Sequence, residues 1–230
     1  MISKKSKFFT ITIDGPAGAG KSTVARRVAE KLGFEYLDTG ALYRAVTLYL
    51  LKAHIPPADS PDLHAALREM SVRIDSDKVY VNDEEVSSQI RSVLVESNVS
   101  AYAMLPAVRN RLLKIQHEHA EMCNMVVDGR DMGTTVFPDA NLKIYLVASL
   151  ATRALRRWKD LAAAGVRTSV DEVQEQVQKR DRVDTNRRQS PLRVPSDAQI
   201  IDTSDMSITE VVRVILEKAA GIRSERGNDL

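Results

Sequence analysis

Apolar positions change period twice within the first fifty residues. Phe8-Phe9-Thr10-Ile11-Thr12-Ile13 is a short, β-rich apolar run before a glycine and predicts a strand over 8–13. From Lys21 to Leu32 the apolar residues recur every three or four positions. That spacing predicts a helix ending at Gly33, a residue suited to the left-handed position after a helix. Phe34 to Leu37 alternates again and predicts a second strand. Asp38 or Thr39 can then cap a helix continuing through Leu51. Strand, loop, helix and strand within about thirty residues is the βαβ unit of a parallel sheet.

The pattern breaks at His54-Ile55-Pro56-Pro57-Ala58-Asp59-Ser60-Pro61, where three prolines end any helix. Residues 71–75 and 78–82 alternate polar and apolar around Ser76-Asp77, which predicts an antiparallel hairpin. A hairpin does not belong inside a parallel βαβ unit, so 56–92 reads as a small inserted subdomain. Helical spacing returns near Ser92, and Pro106 suits the first position of another helix. In that helix Val108, Leu112, Ile115, His119 and Met122 predict a core-facing stripe. Further strands are expected at 125–128, 142–147 and 199–202. Ser207 caps a last helix to about Ala220, with Val211, Val212, Ile215 and Leu216 inward and a loose polar tail from Ser224. The whole is an α/β chain: about five parallel strands flanked by helices, doubly wound, with no internal repeat.

Composition narrows the class without naming it. At 230 residues, 43% hydrophobic and 28% charged, the chain has the make-up of an ordinary globular domain. Its lone cysteine, Cys123, has no partner for an internal disulfide and no C-x-x-C neighbour, so it reads as a small core residue in a reducing compartment. Met1 to Lys7 is short and basic with no apolar stretch behind it, and no apolar run approaches the ~18 residues of a membrane span. A cytoplasmic protein is expected. His117 and His119 are too close to share one helical face and lack a carboxylate partner, so they read as structural or solvent-facing. Net charge is +2 but uneven, with eleven Lys/Arg against six Asp/Glu between Arg153 and Arg193. Such a segment grips an anion or forms a solvated face.

The first chemistry lies between the first strand and first helix. Gly15-Pro16-Ala17-Gly18-Ala19-Gly20-Lys21-Ser22, followed by Thr23, fits G-x-x-x-x-G-K-[S/T] in the strand–loop–helix setting this phosphate-binding loop requires. Glycines let the backbone wrap an anion, and the helix offers free N–H groups and its positive dipole end. Lys21 would reach the β/γ-phosphates and Ser22 would hold Mg²⁺. Two more strand ends are polar where ligands gather in open α/β sheets: Asp38-Thr39-Gly40 with Tyr43 and Arg44, and Asp128-Gly129-Arg130-Asp131. Asp128, ending an apolar run, stands where an acid would act on Mg²⁺ or its waters; capping of the next segment is the plainer alternative.

The basic segment carries its own pattern. Val170, Val173 and Val177 form an apolar stripe that Arg180, Asp184 and Arg187 continue at i, i+4, i+7. This spacing suits an element that packs at one end and grips an anion at the other, and equally a surface salt-bridge ladder. Arg153, Arg156 and Arg157 form a second group on the preceding helix. A guanidinium fork matches phosphate oxygens bidentately, so an arginine-rich helical hairpin suits a phosphoryl group in transfer.

Four stretches together resemble the bacterial cytidylate kinases, a family of nucleoside monophosphate kinases: 13–23, 37–44 (Leu-Asp-Thr-Gly-Ala-Leu-Tyr-Arg), 128–140 (Asp-Gly-Arg-Asp-Met-Gly-Thr-Thr-Val-Phe-Pro-Asp-Ala) and 179–187 (Lys-Arg-Asp-Arg-Val-Asp-Thr-Asn-Arg). The resemblance runs from about Ile11 to Leu216. It implies ATP as donor with Mg²⁺, and CMP and dCMP as acceptors. It implies that Arg44, Arg130 and Arg187 hold the acceptor phosphate, that Ser100, Arg109 and Asp131 read the cytosine edge, and that Tyr43 lies against the base near Thr39. Arg180 and Asp184 would contact the sugar, and Arg153 and Arg157 would stand near the transferring phosphates. The segments then become a core over 8–55, 93–150 and 191–222, a monophosphate-binding insert over 56–92, a lid over 151–190, and tails at 1–7 and 223–230.

The chemistry agrees. A phosphate monoester acceptor is already anionic, so no general base is needed; what is needed is cations against the repulsion of two polyanions and a lid against water. A kinase for another monophosphate, a nucleic-acid-binding P-loop protein and a nucleotide switch with negligible turnover are the competing readings. Sparse aromatics in 153–193, with Trp158 alone, weigh against nucleic acid. A monomer is expected.

Overall fold

The computed structural model describes residues 8–75 and 78–227. In chain order the elements are β1 (Thr10–Asp14), α1 (Lys21–Leu32), β2 (Glu35–Asp38), α2 (Thr39–Lys52), α3 (Pro61–Glu69), β3 (Val72–Asp75), β4 (Lys78–Val81), β5 (Glu84–Glu85), α4 (Val93–Ala103), α5 (Pro106–Ala120), β6 (Met125–Asp128), β7 (Leu142–Val147), α6 (Leu150–Ala163), α7 (Val170–Asn186), β8 (Gln199–Asp202) and α8 (Ile208–Gly227). A short 3-10 turn (Gln89–Arg91) precedes α4, and a π-helical turn (Met132–Val136) follows β6.

Five strands form the expected parallel sheet, in the order β2-β6-β1-β7-β8. Ile13 stands opposite Asp128 on one side and Ile144 on the other, so the ends of β1 and β6 lie side by side. The chain winds from β1 toward one edge and then toward the other, which leaves a switch point beside β1 where α/β folds bind ligands. One face of this sheet buries Ile11, Ile13, Val126, Ile144 and Leu146 against Val24, Ala25 and Val28 of α1 and Val211, Ile215 and Ala219 of α8. Each large aliphatic side chain so buried contributes about 1.5–3 kcal/mol.

Contacts divide the chain into two compact units, one holding the residues up to Tyr36 and from Cys123 onward, the other Leu37–Met122. The second unit is wider than the expected 56–92 insert, because α2 packs on α4, α5 and the β3–β4 hairpin. Leu42, Val46, Leu50, Val95, Val99, Tyr102, Val108 and Leu112 are buried there, and the Tyr102 hydroxyl donates to the Ile55 carbonyl at 2.7 Å. Its antiparallel sheet pairs Val72 with Val81, as the alternation predicts, and adds β5, which the sequence reading lacked. Asn82 and Asp83 make that second turn with φ of 48° and 66°, a conformation Asn and Asp tolerate better than most residues. The Ser76-Asp77 turn lies outside the described residues, as does the tail 1–7.

Three local expectations change. The buried face of α5 is Val108, Arg109, Leu112, Gln116 and Ala120, while Met122 lies beyond the helix and is exposed. Arg187 is not on the face of α7: the helix ends at Asn186 and Arg187 is extended (φ −60°, ψ 140°). The final helix runs through Gly227 where a loose tail was expected from Ser224. There the Ser224 hydroxyl donates to the carbonyls of Ala220 and Gly221, and the Arg223 guanidinium lies 5.6 Å from the Phe34 ring.

Candidate active site

The glycine loop is shaped by close approach. A Cβ on Gly15 (φ 146°) would stand 2.2 Å from the Leu146 carbonyl oxygen of β7, and one on Gly18 (φ 77°) would stand 2.9 Å from the Arg153 carbonyl oxygen of α6. Both positions need glycine for space as well as conformation. Gly20 opens α1 in the left-handed region with no side-chain cap, and the first-turn N–H groups of a helix, which lack intrahelical partners, suit an anion.

Lys21 is buried, and its ammonium donates to the Pro16 carbonyl at 2.8 Å. Burial first, and then the field of Arg130, hold its pKa well below the usual lysine range. The Ser22 hydroxyl donates to Asp128 Oδ2 at 2.9 Å, and the Tyr36 hydroxyl donates to Oδ1 at 2.8 Å. Asp128 therefore turns toward the glycine loop and toward Tyr36. Tyr36 was missed in the sequence, where it reads as one more apolar member of a strand.

Asp14, at the end of β1, was missed too. It is fully buried, and its two oxygens accept from the backbone N–H groups of Met132 (2.9 Å) and Gly133 (2.7 Å). Those bonds hold the π-helical turn directly after Arg130-Asp131. Burial raises the Asp14 pKa to about 6 despite the two N–H donors. An acid ending a β-branched, fully buried strand was the signal available in the sequence.

Arg130 meets α7. Its Nε donates to Asp184 Oδ2 at 2.9 Å, and Arg187 approaches Asp184 at 3.9 Å and buried Asp131 at 3.7 Å. Burial pushes the Asp184 carboxyl up, but Arg130, Arg187 and Arg180 together hold it below the usual carboxylate range. With side chains only 7–19% exposed, Arg130, Asp184 and Arg187 are no wet surface ladder. Arg180 is half-buried on α7 and also acts on the Lys21 ammonium, which ties this cluster to the glycine loop.

On the α6–α7 hairpin, Arg157 is half-buried. Arg153, expected near the transferring phosphates, is buried and spends its Nε on the Ala148 carbonyl and Nη1 on the Ala17 carbonyl, both at 3.0 Å, and on Asp181. Asp181 had no place in the sequence reading, although it extends the Val173–Val177 stripe by one more turn.

The second unit gathers the remaining predicted residues at the start of α2 and on α4 and α5. Asp38 caps α2 by accepting from the Ala41 N–H at 2.8 Å and from Arg44 at 3.3 Å. Thr39 is buried beneath that turn, and the buried Arg109 guanidinium lies 5.6 Å from the centre of the Tyr43 ring. Ser100 is half-buried on α4. No cluster of His, Cys, Asp and Glu that could hold a metal by itself occurs among the described residues.

Comparison with known proteins agrees over nearly the whole chain. The cytidylate kinase family model matches residues 11–221. A cytidylate kinase of Caldanaerobacter subterraneus is 45% identical over 207 residues, 90% of this chain and 92% of that one. That of Pelotomaculum thermopropionicum is 43% identical over 225 residues, 96% and 100% of the two chains. A solved structure from Eubacterium ventriosum is similar in fold alone, with a TM-score of 0.55 at 13% identity over 94% of this chain and 99% of that one. A match of this length, on a chain that carries the glycine loop and the buried arginine cluster described above, is decisive: the chain belongs to the cytidylate kinase family.

Proposed function

We propose how this chain divides the work of its family's reaction, transfer of the γ-phosphoryl group of ATP to CMP, with dCMP as a second acceptor. The glycine loop from Gly15 to Thr23 binds the donor phosphates, Lys21 among them. Arg44, Arg130 and Arg187 hold the acceptor phosphate. Ser100, Arg109 and Asp131 read the cytosine edge, with Tyr43 against the base and Thr39 beside it. Arg180 and Asp184 contact the sugar, and Arg157 faces the phosphates in transfer. Residues 56–92 belong to the acceptor-binding part and 151–190 form the lid.

The observation that carries this reading is the mutual field of Lys21, Arg130, Arg180 and Arg187 around Asp128, Asp131 and Asp184. Transfer between two polyanions needs cations fixed in advance, since fixed charges need no reorganisation as the reaction proceeds. A monoester phosphate with its second pKa near ~6 is largely dianionic at neutral pH and attacks without a general base. Asp14 does not supply one, because both its oxygens are engaged by backbone N–H groups in the interior.

The residues fit Mg²⁺. Ser22 spends its proton on Asp128 and so turns its lone pairs outward, and hydroxyl and carboxylate oxygens are the hard donors this ion prefers. Ser22 would hold the ion directly and Asp128 through water. When bound, Mg²⁺ neutralises charge on the β- and γ-phosphates.

We read the enzyme as a cytoplasmic monomer acting on free nucleotides and not on nucleic acid. Trp158, the lone aromatic of the basic segment, packs in the hairpin's apolar cluster and donates its indole N–H to the Thr168 carbonyl, which takes it from base stacking. No helix among the described residues is long and apolar enough to cross a membrane. The test is a screen of nucleoside monophosphates by coupled ADP release: CMP is expected to lead, and a tenfold preference for UMP or AMP would overturn the assignment.

A further inference from the structure

Ala17 is held on three sides by the α6–α7 hairpin. Its methyl group is buried in the hairpin's own apolar cluster with Val173 and Val177, against Leu150, Trp158 and Leu161. Its N–H donates to Asp181 Oδ1 of α7 at 3.1 Å. Its carbonyl accepts from Arg153 Nη1 of α6 at 3.0 Å, and that same Nη1 donates to Asp181 Oδ2. One residue of the glycine loop, through its N–H and its carbonyl, thus closes a ring with a carboxylate and a guanidinium, both largely removed from water. Gly18 lets the α6 backbone approach this closely.

A hairpin built only to swing over a nucleotide needs no such attachment. Loop N–H groups commonly serve anions, yet this one serves a protein carboxylate whose charge is balanced by a neighbour. Charge-assisted bonds in a partly desolvated setting are strong and directional. Asp181 also sits next to Arg180 and one turn before Asp184, the residues through which α7 reaches the Arg130 cluster. Fixing Asp181 on the loop fixes where those two stand relative to Lys21.

We propose that Asp181 is a positioning residue for phosphoryl transfer: with Arg153 it fastens the base of the α6–α7 hairpin to Ala17, so that loop and hairpin enclose the donor phosphates as one body and keep water from them. The inference rests on the cytidylate kinase reading of the site. A loosened base admits water to the γ-phosphate and misplaces Arg180 and Asp184, so ATP hydrolysis gains on transfer.

The experiment measures ADP release by Asp181→Asn with saturating CMP and with none, beside thermal melting and amide exchange at Ala17. Asparagine keeps the shape and one acceptor oxygen but loses the ion pair. The ratio of CMP-independent to CMP-dependent release is expected to rise at least tenfold, and exchange at the Ala17 N–H at least tenfold, with the fold intact. Because Arg153 is buried and loses its counter-charge, the double variant Arg153→Met/Asp181→Asn serves as control and is expected to show the same raised ratio. An unchanged ratio in both variants overturns the proposal, as does a parallel fall of both rates with a lowered melting temperature. Absence of CMP-dependent release from the unsubstituted protein would instead sink the cytidylate reading, and Ala17 exchange would still report on the clamp.

Discussion

Ser22 Oγ donates to Asp128 Oδ2 at 2.9 Å across 106 positions of chain, which joins the end of the glycine loop to the end of β6. The bond orients both groups, since the hydroxyl can present lone pairs to a cation only if its proton goes elsewhere. Ser22→Ala removes the proposed metal ligand and leaves Asp128 one donor short. We expect kcat to fall on the order of 10²-fold with the CMP KM little changed, the range seen when one preorganised group for transition-state charge is lost. A magnesium titration of steady-state rates checks this; an unaltered magnesium requirement would show that Ser22 is no ligand.

Tyr36 braces the same acid from the other side. Tyr36→Phe deletes one hydroxyl and leaves the ring beneath the Arg26 guanidinium, 5.1 Å away. A hydrogen bond to a charged group is worth about 1.5–3 kcal/mol, so Asp128 should hold its orientation less firmly. The magnesium needed for half-maximal rate should rise several-fold while the protein melts within a few degrees of the unsubstituted chain.

Lys21→Ala should reduce kcat by on the order of 10²-fold or more, as charge stabilisation at the transferring group is lost. The variant should melt no lower than the parent, because it removes an ammonium whose burial already works against its charge. Turnover close to that of the parent would exclude the loop from the transfer.

Asp14 makes a pH prediction of defined sign. Its folded pKa of about 6 lies above the ordinary value of 3.8, so the folded protein holds this proton more tightly than the unfolded chain. The stability it contributes is complete below pH 3.8 and is lost as pH rises through about 6, a change of about 3 kcal/mol by linkage. Asp184 acts in the opposite sense: its lowered pKa contributes stability above the usual carboxylate range, and that is lost as pH falls through the folded value. Urea unfolding of Asp14→Asn and the parent between pH 4 and 7.5 should give curves that converge toward the alkaline end, the parent losing its relative advantage as pH rises. Parallel curves would show that the carboxyl is not titrating there.

Arg130→Met would leave Asp184 buried with its 2.9 Å partner gone. Breaking a buried pair from one side costs about 3 kcal/mol or more, which guanidinium chloride unfolding would read directly. The CMP KM should rise at least tenfold with the ATP KM within a few-fold; an equal rise in both would place Arg130 outside the acceptor site.

Much of this molecule was legible in one dimension. Hydrophobic period placed every strand of the parallel sheet to within two residues, and most plainly the central ones, because burial on both faces demands continuous apolar runs such as Met125-Val126-Val127. The glycine loop was legible because its function needs backbone, and only glycine at fixed spacing provides that backbone. The stop at Gly33 was a local matter of the same kind, and the cap of α2 was narrowed locally to Asp38 or Thr39, of which the structure uses Asp38. Pairings between residues far apart in sequence were not legible. Nothing near Asp14 announces that it will hold Met132 and Gly133, nothing near Tyr36 announces Asp128, and Asp181 gives no sign of Ala17, 164 positions away. A charged side chain has no period; its meaning is set by what the fold carries to within about 3 Å of it. Sequence determined the sheet, the loop and the inventory of cations. Tertiary structure decided which cations are spent on the protein itself, as Arg153 is, and which stand gathered around Lys21.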